Sequence, residues 1–341
     1  MFPALLERLQ RREDLTSEQA AAAMGAVMDG LAAPAQIAGL LVGLRMKGEC
    51  PAEVVGFARA MRERSVRLSR QFPDAFDTCG TGGDGGGTFN VSTIVALVLA
   101  AAGVTVAKHG NRSVSSRCGS ADVLAALGVN VTAPPAVVER CLDRAGIAFL
   151  YAPTFHPSMR HAAEPRRDLG IRTAFNLLGP LTNPAGVKRQ LVGVPRPELT
   201  ELVARALAAL GSERAWVVHG ADGIDEISTS GYTKVSECRD GFVRTFYVHP
   251  SDVGVAKTDG SDLAGGDAAA NAAIARRILA GERSPRRDIV LLNAGVAFAI
   301  AGRAATVREG MALAAQALDS GAAAAALERL VRESHAPEAQ S

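Results

Sequence analysis

The apolar positions of this chain follow one period at first and then a mixture of two. Up to about residue 64 they recur at helical spacing: Leu5, Leu6 and Leu9, then Ala23, Met24, Val27 and Leu31, then Ile37, Leu40, Leu41 and Leu44. Thr16 and Gln19 have the separation of a capping box, and Pro34 and Pro51 suit the first turns of helices. A small helical unit is predicted, and its apolar stripes suit a subunit interface. From about residue 74 short β-like runs alternate with helical ones. Strands are predicted at 75–79, 104–107, 149–151, 190–194, 215–219 and 242–248, and helices at 121–127, 137–144, 199–210, 268–280, 289–301 and 307–319. Such alternation predicts a largely parallel sheet covered by helices, with loops at the strand ends forming a site. The 289–301 run is apolar on every side and is expected to be central. Residues 168–184 fit neither period and read as a crossing. The expected organisation is α/β: a small N-terminal helical domain over 1–70, to which part of 165–190 crosses back, and a larger α/β domain over 71–341 with a mostly parallel sheet.

Between the first predicted strand and the apolar helix after it lies Gly80-Thr81-Gly82-Gly83-Asp84-Gly85-Gly86-Gly87, six glycines in eight residues. Such a run costs too much entropy and packs too little to sit inside a helix or strand, so it is a loop. Asn90, Ser92 and Thr93 follow at capping positions. A side-chain-poor loop that feeds a helix N-terminus presents bare N–H groups and the positive end of a dipole, which favours phosphate or pyrophosphate. Gly80, Gly82 and Gly85 also satisfy G-x-G-x-x-G. However, the helix does not open at the third glycine, and Val104 to Lys108 stand where a dinucleotide fold needs an acid. No Gly-Lys-Ser/Thr follows, which excludes a Walker loop. A flexible linker would not carry Thr88, Asn90 and Ser92 between two apolar segments.

A second polar cluster, Lys108 to Ser120, directly follows a predicted strand and is rich in donors for phosphate oxygens, with Ser120 expected to cap the next helix. A third, His219 to Glu226, also stands at a strand end. Its adjacent carboxylates, Asp225 and Glu226, can serve one region only from irregular backbone; taken alone they read as an exposed acidic turn, and with a phosphate nearby they suit Mg²⁺. A fourth runs from Arg160 to Thr173, where an arginine could grip a substrate carboxylate, though a surface helix with scattered charges explains the stretch almost as well.

Charge and cysteine content narrow the choices. With 37 basic and 35 acidic residues the formal charge is +2, so no global field draws in nucleic acid or a membrane surface. Five cysteines without a C-x-x-C suit free thiols in a reducing cytoplasm. The start, Met1 to Arg8, lacks the order of a signal peptide, and the apolar stretches 91–107 and 289–301 are too short or too interrupted to span a bilayer. No metal-binding histidine spacing and no nucleophile elbow occurs.

In Gly80 to Gly85, Asn90 to Thr93, Lys108 to Ser116, Asn176 to Pro184 and Asp225-Glu226 the chain resembles the anthranilate phosphoribosyltransferase family, from its helical start to near its end. The resemblance implies a nucleoside-phosphorylase-like architecture, a homodimer formed through the helical parts, Mg²⁺ as cofactor, and transfer of the phosphoribosyl group of phosphoribosyl pyrophosphate (PRPP) to anthranilate. It implies that PRPP is held by Gly80, Gly83, Asp84, Thr88, Asn90, Val91, Ser92 and Thr93, by Lys108, His109, Gly110, Asn111, Arg112, Ser113, Val114, Ser115 and Ser116, and by Ser120. Anthranilate would lie on Gly80, Asn111 and Arg166, with His109 close by, and Mg²⁺ on Ser92, Asp225 and Glu226. Cys79 and Cys118 depart from the aliphatic residue and serine expected there. No dedicated acid or base is expected, since an aryl amine is already neutral at pH 7. A pyrimidine nucleoside phosphorylase would leave Asp225 and Glu226 without a purpose, and a non-catalytic nucleic-acid binder should show a basic face.

Overall fold

A computed structural model describes residues 1–83, 87–113 and 117–337. Four helices come first: α1 (Phe2–Gln10), α2 (Ser17–Met28), α3 (Pro34–Lys47) and α4 (Pro51–Glu63). The predicted capping box opens α2: Thr16 Oγ1 accepts from Gln19 N at 3.2 Å and Gln19 Oε1 accepts from Thr16 N at 3.0 Å. Asp14, Cys50 and Glu53 converge between the helix ends. The Lys47 ammonium lies 2.6 Å from Asp14 and 3.1 Å from Glu53, so the cluster is an ion-pair staple, with the cation already in place.

The remainder alternates strands and helices: β1 (Phe76–Gly80), α5 (Val91–Ala101), β2 (Val106–Gly110), α6 (Ser120–Ala126), α7 (Pro135–Arg144), β3 (Ile147–Tyr151), the single turn α8 (Ala152–Phe155) and α9 (Ala163–Leu169). Then come the single turn α10 (Phe175–Leu178), β4 (Arg189–Gly193), α11 (Leu199–Ala209), β5 (Arg214–Gly220), β6 (Thr233–Arg239), β7 (Phe242–Val248), α12 (Ala268–Leu279), α13 (Pro285–Ile300), α14 (Val307–Asp319) and α15 (Ala322–His335). The seven strands form one sheet in the order β3-β2-β1-β4-β5-β6-β7, parallel through β5 and antiparallel beyond it.

Each strand sorts its side chains between two cores, as a two-residue period requires. Leu191, Trp216, Val218 and Val235 join the cluster built on α5, α13 and α15. Val192, Val194, Ala215, Val217 and Cys238 join the cluster that contains α1 to α4 and α11. Phe175, Leu177, Leu178 and Leu181 pack into this second cluster, so the stretch without a clear period runs beneath the sheet against the helical unit. α13 is buried along nearly its whole length, as its all-round apolar character predicts. Strand β6 is absent from the predicted set because its core-side positions include Glu237. That carboxylate is fully buried and accepts from Arg214 Nε at 3.1 Å, Trp216 Nε1 at 3.0 Å and Arg244 Nε at 2.7 Å.

Helices α13 and α14 cross at backbone distance. A Cβ on Gly310 would stand 2.3 Å from the Gly295 carbonyl oxygen, and one on Gly295 would stand 2.8 Å from that of Val307. Gly310→Ala is therefore expected to cost about 2 kcal/mol through overpacking, despite alanine's better helix propensity. Urea unfolding checks this, and an unchanged midpoint would contradict the crossing.

Candidate active site

Strand order reverses beside β1: β2 and β3 lie on one side, β4 and β5 on the other. A crevice opens at the carboxyl ends of parallel strands at such a switch point. Here it is a cavity of about 740 Å³. The glycine run leaves β1 and leads to α5, whose N-cap is Asn90. Gly83 has φ of 82°, and a Cβ there would lie 1.8 Å from Arg172 Nη1, so the guanidinium rests directly on this glycine. Arg172 Nη2 donates to the Thr81 carbonyl at 2.9 Å. Gly80, Gly83, Thr88, Asn90, Val91 and Ser92 all line the cavity, whereas Thr93 is buried and does not reach the wall. Asp84 and Gly85 lie outside the described residues.

The second loop supplies the opposite wall through Lys108, His109, Gly110, Asn111, Arg112, Ser113 and Ser120, while Val114, Ser115 and Ser116 lie outside the described residues. Gly119, not Ser120, is the N-cap of α6. Asp122 reaches back to accept from Gly119 N at 2.9 Å and Ser113 N at 3.1 Å, which folds the loop over the helix start and leaves Ser120 inside the first turn. Ser120 Oγ packs closely over Gly110, where a Cβ would meet it at 2.2 Å.

Lys108 is almost wholly buried beneath these walls. Its ammonium donates to the Thr78 carbonyl and lies 3.3 Å from Ser92 Oγ. Burial pushes the Lys108 pKa down, and the Asp77 carboxylate opposes that by favouring the cation. Asp77 is itself buried, which pushes its pKa up against the pull of Lys108; it accepts from His109 N at 3.1 Å and from Asn183 Nδ2 at 2.8 Å.

The third loop, after β5, carries Asp225 and Glu226 on irregular backbone, as adjacent carboxylates facing one region require. It lies flush against the sheet only because two Cβ atoms are missing. One on Gly80 would stand 2.6 Å from Asp225 Oδ2, and one on Gly193 would stand 1.7 Å from the Asp225 carbonyl oxygen. Glu226 Oε1 accepts from Ser92 N at 3.1 Å, which joins this loop to the start of α5. Hard carboxylate oxygens in a notch of this kind fit Mg²⁺.

Arg166 also lines the cavity; its guanidinium lies 5.0 Å from the Phe175 ring centroid and makes no hydrogen bond or ion pair with another described residue. Burial pushes its pKa down. His109 and His156 meet at 5.2 Å between ring centroids. His109 Nδ1 lies 2.9 Å from the Gly179 carbonyl oxygen and so carries the proton; Nε2 of each ring is buried without a protein partner among the described residues. Burial lowers the pKa to about 3 for His109 and about 4 for His156, so both rings are neutral at physiological pH.

His156, Arg172 and Asn271 also line this cavity, and sequence reasoning singled out none of them. Arg172 could not be told from Arg166 or Arg167 by spacing, His156 is a lone histidine, and Asn271 sits in an alanine-rich helix.

Comparison with known proteins places this geometry. Residues 72–324 match the profile described as "Glycosyl transferase family, a/b domain", and residues 3–65 match "Glycosyl transferase family, helical bundle domain". The chain is 56% identical over 331 residues to anthranilate phosphoribosyltransferase of Moorella thermoacetica, covering 97% of this chain and 98% of that relative. The chain belongs to the anthranilate phosphoribosyltransferase family. Its relative in Symbiobacterium thermophilum is 54% identical over 338 residues, covering 99% of both chains. Among solved structures, the anthranilate phosphoribosyltransferase of Thermus thermophilus superposes with a TM-score of 0.91 at 46% identity, over 97% of this chain and 99% of that one. The Saccharomyces cerevisiae family member, solved in complex with PRPP and Mg, gives 0.88 at 28% identity, over 98% and 97%. The expected plan of a helical part plus a larger α/β part with a mostly parallel sheet is the one observed.

The paired imidazoles generate a pH dependence of stability. Both folded pKa values lie below the ordinary 6.5, so the unfolded chain takes up protons that the folded chain refuses. Stability is thus lost as the pH falls from about 6.5 toward 4, by roughly 1.4 kcal/mol per pH unit for each ring. Urea unfolding of His156→Gln across that window is expected to lose about half of this contribution. Parallel wild-type and variant curves would contradict the assignment.

Proposed function

We infer that the cavity carries out the reaction of its family, transfer of the phosphoribosyl group of PRPP to the amine of anthranilate with release of pyrophosphate, a step of tryptophan biosynthesis. The observation that carries this reading is the convergence of a glycine run, a buried lysine and adjacent carboxylates at the ends of β1, β2 and β5. In this reading the bare amides of the glycine run and the first turn of α5 take the diphosphate, with the positive end of the α5 dipole behind it. Lys108 and Ser92 add a cation and a hydroxyl from below. Residues Asn111 to Ser113 and Ser120 close over the rest of the donor. Asp225, Glu226 and the Ser92 hydroxyl would hold Mg²⁺, which when bound supplies charge neutralisation for the departing pyrophosphate.

Arg166 receives the anthranilate carboxylate in a bidentate pairing, for which its guanidinium, stacked over Phe175, has no hydrogen bond or ion pair with another described residue. As the anomeric C–O bond breaks and the N–C bond forms, the electron pair leaves with pyrophosphate and the amine gives up a proton to that pyrophosphate or to water. It is neutral beforehand, so positioning rather than a strong base supplies most of the acceleration. His109 and His156 form an uncharged wall that does not compete with Arg166 for the carboxylate.

Two copies of the chain are proposed to pair through the N-terminal helices, where Leu31 and Met46 are 76% and 73% exposed. The five free cysteines suit a cytoplasmic setting. Light scattering is expected to give twice the chain mass, and a monomer would remove the pairing.

Loss of anthranilate fluorescence on mixing enzyme, Mg²⁺, PRPP and anthranilate tests the reaction. In that assay Arg166→Ala is expected to raise the anthranilate KM at least about tenfold while the PRPP KM stays within about twofold. Asp225→Ala and Glu226→Ala are expected to lower turnover and shift the Mg²⁺ requirement upward. Equal effects of Arg166→Ala on both substrates, or a magnesium titration that leaves the carboxylate variants at wild-type turnover, would reassign these residues.

A further inference from the structure

The stretch from the 3₁₀ turn Gly260–Leu263 to the start of α12 lies like a strap against Gly87 to Phe89, where the glycine run meets α5. Thr88 and Ala264 form an antiparallel bridge, Gly265 N donates to the Gly87 carbonyl at 2.6 Å, and Phe89 N donates to the Leu263 carbonyl at 3.3 Å. Gly265 has no room for a side chain: a Cβ would stand 2.7 Å from Phe89 N and 2.8 Å from Asn271 Oδ1.

A polarised series of amides begins where the strap ends. Gly266 N donates to Asn271 Oδ1 at 2.7 Å, Asn271 Nδ2 donates to Asn90 Oδ1 at 3.0 Å, and Asn90 Nδ2 donates to the Cys118 carbonyl at 3.2 Å. A backbone N–H can only donate and a carbonyl can only accept, so both side-chain amides between them have a single permitted orientation. Asn271 is only 2% exposed, so water does not offer it substitute partners. Asn90 belongs to the glycine-run side of the cavity and Cys118 to the Lys108 side, 28 residues apart in sequence. The relay is a side-chain tie across the two loops that would receive the donor.

We propose that Asn271 is a positioning residue for the phosphoribosyl donor. By holding Asn90 against the Cys118 carbonyl it sets the spacing between the two phosphate-binding loops, and so sets PRPP affinity without acting on the anthranilate end. The inference rests on the assignment of those loops to PRPP made above. Its strongest chemical signature is direction: a carboxylate at this position accepts from Gly266 but cannot donate to Asn90, and it sets oxygen against oxygen.

Calorimetric titration with PRPP and Mg²⁺, together with steady-state kinetics, tests it on the full-length enzyme. Asn271→Ala is expected to raise the PRPP Kd and KM about tenfold, leaving kcat and the anthranilate KM within about twofold, and Asn271→Asp to raise the PRPP constants further. Gly265→Ala, which lifts the strap from Phe89, is expected to give the same donor-selective rise and stands in should the Asn271 variants fold poorly. Wild-type PRPP binding with donor constants unchanged in all three variants would overturn the relay alone. Equal rises in both substrate constants with a lowered melting temperature would reduce Asn271 to general support and overturn it too. A wild-type enzyme that bound no PRPP would overturn the donor assignment and with it the role of Asn271.

Discussion

The absence of two Cβ atoms, at Gly80 and Gly193, lets the turn carrying Asp225 rest against the ends of β1 and β4. The placement of both acidic side chains depends on that close approach. A side chain at Gly193 would collide with the Asp225 backbone and push the acidic loop away, whereas one at Gly80 would displace the Asp225 carboxylate; the same loop carries Glu226, which accepts from the Ser92 amide at the start of α5. The parallel register completes the arrangement. With Gly80 opposite Gly193 in the β1–β4 pairing, the two bare positions stand side by side at the same height.

Beneath this meeting point the charges are few and expensive to bury, and each is constrained. Lys108 lies within an envelope formed by Thr78 and Ser92, with Asp77 as its counter-charge. Asp77 in turn is tied by His109 N and Asn183. A cation held in this way is attractive to an anionic ligand because little reorganisation is needed when the ligand arrives. The balance of 37 basic and 35 acidic residues has the same meaning at the scale of the whole chain, since attraction for anions is built locally.

Features whose chemistry lives in the backbone were the most legible in the sequence. A run of glycines before an apolar helix has few physical interpretations, and Asp225-Glu226 could face one site only from an irregular turn, which is where they are. Residues whose role depends on long-range partners were not legible. Glu237 makes β6 look unsuited to a core because Arg214, Trp216 and Arg244, which stabilise it, come from neighbouring strands. Thr93 resembles its neighbour Ser92 in chemistry, yet one step along a helix turns it into the interior. Ser120 has the residue type of a cap, but Asp122 satisfies the loop amides and moves the helix boundary to Gly119. Arg166 and Arg172 differ in what they touch, an aromatic ring in one case and the glycine run in the other.

Strand β1 has a further consequence for how the fold can change. Thr78 turns toward Ser92 and Lys108, while Asp77 and Cys79 turn toward Asn183 and Gln190 on the opposite face. The strand is therefore a partition one residue thick, with the Ser92 and Lys108 groups of the cavity on one side and the Asn183 and Gln190 amides on the other. Point substitutions can tune either compartment separately, but an insertion or deletion within these five residues would exchange the two linings at a stroke. A one-residue shift in this strand would alter both compartments at once.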